Sequence, residues 1–193
     1  MGRIRQFDES DVLQKAMHTF WENGYEKTSV RTLEKSMGIN QFSIYSTFNS
    51  KEGLYQRVLQ MYKQQLNESF LHKLKREDCT IDDVEAFLKS FAKQIASKKI
   101  PNGCLMVRST FELHSYDKEL KKIVLAFFDM MRISFTRALM NSVKDGLIPK
   151  NSKISESAEY LIGIAQSISI YSKIKSQKET ANYIEFAMNK LKT

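Results

Sequence analysis

The stretch from Gly24 to Tyr55, G-Y-E-K-T-S-V-R-T-L-E-K-S-M-G-I-N-Q-F-S-I-Y-S-T-F-N-S-K-E-G-L-Y, limits the fold more than any other part of the chain. Val30, Leu33 and Met37 share one side of a short helix that Thr28 or Ser29 can cap, because a hydroxyl oxygen accepts an orphan amide of the first turn. Gly38 permits a tight turn. Ile39 begins a further segment in which Ile44, Tyr45 and Phe48 can pack inward, and Asn49-Ser50 caps a longer helix behind it. The layout is a short helix, a glycine turn and a second short helix, ending at the start of a long third.

The rest of the chain extends the same pattern. With seven glycines and two prolines in 193 residues, turn residues are too scarce for a β-rich protein. An opening helix is expected from about Glu9 to Asn23, with Val12, Leu13, Ala16, Met17, Phe20 and Trp21 on one broad apolar face. The helix capped by Asn49-Ser50 is expected to run through Leu54, Val58, Leu59, Leu66, Phe70 and Leu74 to a break at Lys75-Arg76-Glu77-Asp78. Further helices are expected from Thr80 or Asp82, from about Cys104 to Leu113, from Asp117 to the stop at Gly146 and Pro149, from Ile154 to about Ser176, and from Lys178 to Leu191. The expectation is an all-α fold of nine helices in two domains: a three-helix domain over residues 1–55 and a larger helical domain over 56–193.

Several function classes find no support. No run of 18 apolar residues and no apolar segment behind the charged N-terminus appear, so neither a membrane span nor a signal peptide is expected. Cys79 and Cys104 have no ligand spacing with the three histidines, so no metal and no cofactor are expected, and free thiols suit a cytoplasmic protein. An all-α enzyme would need a nucleophile arrangement, a carboxylate pair or a phosphate loop, and none is visible. The net charge of +8 invites a nucleic acid, but residues 1–55 carry seven Lys/Arg and seven Asp/Glu. Bulk charge therefore does not locate a binding surface. Arg3 and Arg5 form a short basic arm before the first helix.

Helix, glycine turn and helix is the layout of a helix-turn-helix, which sets one helix in the DNA major groove. Such a reader needs an apolar underside, here Val30, Leu33, Ile44 and Phe48, and short polar groups at the start of its second helix. Asn40, Gln41 and Ser43 stand there, and Asn and Gln can pair two-point with adenine. It also needs donors at helix starts to grip phosphates. Thr28 and Ser29 supply one such start, with Arg31 beside them, and Lys51 adds a charge at another.

Residues from about 8 to 60, with the run from Gly24 to Leu54 at their centre, resemble the N-terminal domain of TetR-type transcriptional repressors, most strongly at Phe20, Gly24, Tyr25, Thr28, Ser29, Val30, Gly38, Ile39, Ile44, Tyr45, Phe48, Lys51, Glu52 and Leu54. The resemblance implies a homodimer that binds a double-stranded DNA operator through this domain and a small effector through the C-terminal one. By position it implies phosphate contacts at Thr28, Tyr45, Thr47 and Lys51, and base-facing positions at Asn40, Gln41 and Phe42. Two residues depart from the family pattern: Phe42 stands where a small residue is common, and Thr47 where histidine or another aromatic is frequent.

In the C-terminal domain, Phe87, Phe91, Met106, Phe111, Phe127, Phe128, Met131 and Phe135 are candidates to line an effector cavity, and they would suit an apolar or aromatic ligand. Arg108, Glu112 and His114 could anchor a polar group. The helix from Ile154 is apolar or small almost all round, which implies that one face meets its own core and the other a second subunit; Leu161, Ile164, Ile168 and Tyr171 are the candidate dimer residues. Cys104 is expected at a helix start, where its thiol pKa would fall. Electrophile or oxidant sensing through Cys104 is the alternative mode of control.

Overall fold

The computed structural model describes residues 7–97, 101–112 and 118–193, without the side chain of Phe70. Arg3, Arg5, Leu113, His114 and Asp117 lie outside those residues. Among the described residues there are nine α-helices and no strand: α1 (Glu9–Asn23), α2 (Val30–Met37), α3 (Gln41–Phe48), α4 (Lys51–Leu66), α5 (Ile81–Ile95), α6 (Leu105–Glu112), α7 (Lys118–Lys144), α8 (Ile154–Ile174) and α9 (Gln177–Lys192).

The helix starts follow from their caps. The Asp8 carboxylate accepts from the Ser10 amide, and the side chains of Ser29, Asn40 and Ser50 accept from the amides of Thr32, Ser43 and Gly53. Thr80 with Asp83 and Ser176 with Glu179 form reciprocal capping boxes. The Lys175 ammonium beside Glu179, with the Ser176 amide, draws that carboxyl down to about 2.

α1, α2 and α3 form a head whose underside is Phe20, Leu33, Met37, Ile44 and Phe48, all buried. α4 packs against α1 and α3 on this side and against α6 and α7 on the other. The expected domain boundary at residue 55 therefore falls inside one continuous helix. Tyr55 itself is fully buried: its ring lies 4.8 Å from those of Phe20 and Tyr25, and its hydroxyl pairs with Ser109 Oγ at 2.8 Å.

α5, α7, α8 and α9 pack around one another to form the body. The break after α4 is fastened to α7, where Asn141 Nδ2 donates to the carbonyls of Glu77 and Cys79, both at 2.7 Å. α4 was expected to continue as far as Leu74, but it passes through a π turn over Asn67–Leu71 and a 3₁₀ turn over Lys73–Lys75. The buried leucines are Leu66, Leu71 and Leu74, spaced five and three apart, and the wider turn keeps them on one side where regular α-geometry would not.

Candidate nucleic-acid interface and effector cavity

The outward face of α3 is Gln41, Phe42, Tyr45 and Ser46, all exposed, while Ile44 and Phe48 are buried beneath them. Phe42 is 72% exposed, which is unusual for a phenyl ring on a soluble surface. Two side-chain caps hold the start of α3: Asn40 Oδ1 accepts from the Ser43 amide at 2.8 Å, and Glu34 Oε1 on α2 accepts from the Gln41 amide at 2.5 Å. Glu34 thus ties the two helices of the motif together, a role that its sequence position did not suggest. The Gly38 turn between them is left-handed, with φ 73°.

Several polar residues expected at DNA are engaged inside the protein. Thr28 is fully buried; its hydroxyl donates to the Gly24 carbonyl at 2.5 Å and its amide to the Tyr25 carbonyl at 3.3 Å, so it has no group left for a phosphate. Lys51 Nζ donates to the carbonyls of Tyr25 and Thr28 at 3.0 and 3.2 Å and lies 4.3 Å from the Tyr25 ring centre. It clamps the α1–α2 connection, leaving one of its three protons for an outside partner. Asn40 has its carbonyl oxygen committed to the cap. Ser29 and Arg31 are exposed at the start of α2, where the Val30 and Arg31 amides have no hydrogen bond among the described residues. Thr47 is half-buried.

In the body, Phe87, Phe91, Phe127 and Met131 line one apolar cavity together with Leu66 and Leu71 of the π-turn region. Its volume is about 20 Å³, room for one water and no more. Met106 is fully buried and does not line it. Phe111 is 77% exposed, at the rim of a surface groove with Val107, Ile170 and Ile174, so it belongs to no interior site. Their shared apolar character grouped Met106 and Phe111; the two sides of α6 separate them.

Two further expectations need correction. Leu161, Ile164 and Ile168 are buried against the protomer's own core, because α8 turns them toward α5 and α7. They are not available to a partner, and Tyr171 is half-buried against Tyr183, with ring centres 5.2 Å apart. The side of α8 that faces outward is Tyr160, Gly163, Ser167, Ile170 and Ile174, at alternating three- and four-residue spacing. Cys104 is 1% exposed, and burial pushes its thiol up rather than down, with the Tyr62 hydroxyl donating to Sγ at 3.6 Å. A thiol held neutral and enclosed is the reverse of a reactive one.

Comparison with known proteins agrees with this arrangement. Residues 12–58 match the bacterial regulatory proteins of the tetR family, and residues 80–188 match the tetracyclin repressor-like C-terminal domain. The HTH-type transcriptional repressor ComR of Escherichia coli (strain K12) is 29% identical over 170 residues, which is 88% of this chain and 81% of ComR. The uncharacterized HTH-type transcriptional regulator YezE of Bacillus subtilis (strain 168) is 24% identical over 180 residues, 93% of each chain. A cysteine mutant of the TetR family transcriptional regulator CifR, complexed with 26-bp double-strand operator DNA, has a TM-score of 0.86 at 25% identity, over 97% of this chain and 98% of that one. With a head and a body that both match, and with regulators rather than enzymes as relatives, this chain belongs to the TetR family of DNA-binding transcriptional regulators.

Proposed function

We propose that the protein is a ligand-responsive repressor that binds a palindromic operator as a cytoplasmic homodimer, with residues 1–55 as the reading head and 56–193 as the effector-binding and dimerisation body. The observation that carries this reading is the face of α3, where Gln41, Phe42, Tyr45 and Ser46 stand exposed over a locked apolar underside. In this reading Gln41 reads a base edge and Phe42 meets a thymine methyl group, while Tyr45 grips a phosphate. Ser29, Arg31 and the open amides at the start of α2 provide a second phosphate grip. Thr47 and the remaining proton of Lys51 lie at the edge of this surface.

The dimer forms through the outward stripe of α8, joined by Phe186 of the neighbouring helix α9, 64% exposed. Two-fold symmetry then presents two α3 helices to successive major grooves about 34 Å apart. An apolar or aromatic effector enters at Phe87, Phe91, Phe127 and Met131 only by widening their cavity, which shifts the population toward a body that no longer holds that spacing. Support for this reading lies in the apolar lining and the adjacent π turn, a helix irregularity common at functional sites.

A gel-shift titration with the DNA upstream of the protein's own gene tests the repressor reading. Retention at low salt should weaken steeply as salt rises, as phosphate contacts require. No retention at low salt would remove the proposal.

A further inference from the structure

The end of α1 is capped by the C-terminal body instead of by water. A helix end leaves carbonyls without intrahelical partners. Here Asn102 Nδ2 donates to the carbonyls of Trp21 and Glu22, both at 3.0 Å, and Arg108 Nη1 donates to Trp21 O at 3.1 Å. Glu112 Oε2 accepts from the Tyr25 amide at 2.9 Å, and its other oxygen accepts from Arg108 Nε at 3.5 Å. Trp21 Nε1 donates in return to the Gly103 carbonyl at 2.8 Å. Arg108 and Glu112 are both mostly shielded, with side chains 25% and 19% exposed.

Two glycines allow this approach. A Cβ at Gly24 would stand 2.5 Å from Glu112 Oε1 and 2.8 Å from Arg108 Nη2. A Cβ at Gly103 would stand 2.5 Å from the Ser169 carbonyl. The Cys104 amide also donates to Ser169 Oγ at 2.9 Å, so the turn that grips α1 is itself fixed to α8, one residue before outward-facing Ile170.

We infer that Asn102, Arg108 and Glu112 are positioning residues, a polar latch that sets the angle of the DNA-binding head on the body. The aromatic contact across the same junction, Trp21 to Tyr62 at 5.0 Å, and the burial of Tyr55 against Ser109 hold the two parts together. Most of the energy of such packing comes from buried area, which small sliding changes little. Hydrogen bonds weaken steeply off their axis, so the latch supplies the angle that the aromatic cluster does not. This inference goes beyond the repressor reading and depends on neither effector, operator nor dimer.

The test is a distance between two spin labels on one chain, at Ser46→Cys on α3 and Lys121→Cys on α7, with labelled protein diluted into unlabelled. Both positions are exposed, and the native Cys79 and Cys104 are buried from the reagent. The parent should give one narrow distance distribution. Glu112→Ala and Asn102→Ala should each broaden it roughly twofold while circular dichroism stays helical, since only directional bonds are lost. Glu112→Gln, which keeps an oxygen for the Tyr25 amide, should restore most of the parent's narrowness. Parent-like width in both alanine variants, or a glutamine variant as broad as the alanine one, would overturn the inference. Loss of folding in Asn102→Ala would overturn it too, because the residue would then support the fold and not the angle.

Discussion

α3 and α8 each bury one side and expose the other, but their exposed sides differ in kind. α3 presents Gln41, Tyr45 and Ser46 with a single phenyl ring, Phe42. α8 presents Tyr160, Ile170 and Ile174 around the small residues Gly163 and Ser167. A polar face with one apolar point suits a partner with many hydrogen-bonding edges and few methyl groups, which is what a major groove offers. An apolar stripe with small residues at its centre suits a like surface that can approach closely. The two faces thus differ in the way the proposed operator and the proposed second subunit differ.

The largest expected effect separates the two sides of α8. Leu161→Asp puts a carboxylate into the core and should cost more than about 4 kcal/mol in a urea titration. Ile170→Asp, on the outward side, should leave protomer stability within about 0.5 kcal/mol. It should nevertheless weaken the dimer by about 3 kcal/mol or more, because symmetry counts the change twice. Sedimentation of Ile170→Asp as an unchanged dimer would place the interface elsewhere.

On α3, Gln41→Ala should cost about 2 kcal/mol at a single base pair and relax the choice there. Binding that weakens equally on every operator variant would deny Gln41 a reading role. Tyr45→Ala should instead weaken binding to all sequences alike, by about 1 kcal/mol. The smallest effect on DNA is expected for Thr28→Val: about 1 kcal/mol of folding stability through the lost bond to Gly24, and no change in operator affinity beyond that.

The comparison also shows which parts of the molecule were legible in the sequence. Caps and periodicity located the helices, because Ser29, Ser50 and Thr80 act within three or four residues of themselves; the Ser176 cap of α9 went unread. Thr28, Asn40 and Lys51 also bond within the protein, for a shared reason. A helix cap, a loop carbonyl and a DNA phosphate all call for the same short polar or cationic groups, and only the fold decides which one is near. Leu161 and Ile170 pose the apolar version of that problem, nine positions apart on one helix. For Cys104 the amides at the helix start do favour the thiolate, but burial opposes them and desolvation prevails. The contacts of Asn102 and Arg108 with Trp21 bridge more than 80 positions, and no local pattern announces them.

The passage of α4 from head to body without a break has a mechanical consequence. Its 16 residues make a lever about 24 Å long. A tilt of about 10° at the body end moves the other end by about 4 Å, slightly more than the ~3.4 Å from one base pair to the next. A change in the body too small to disturb its packing would therefore carry the reading head a full step out of register.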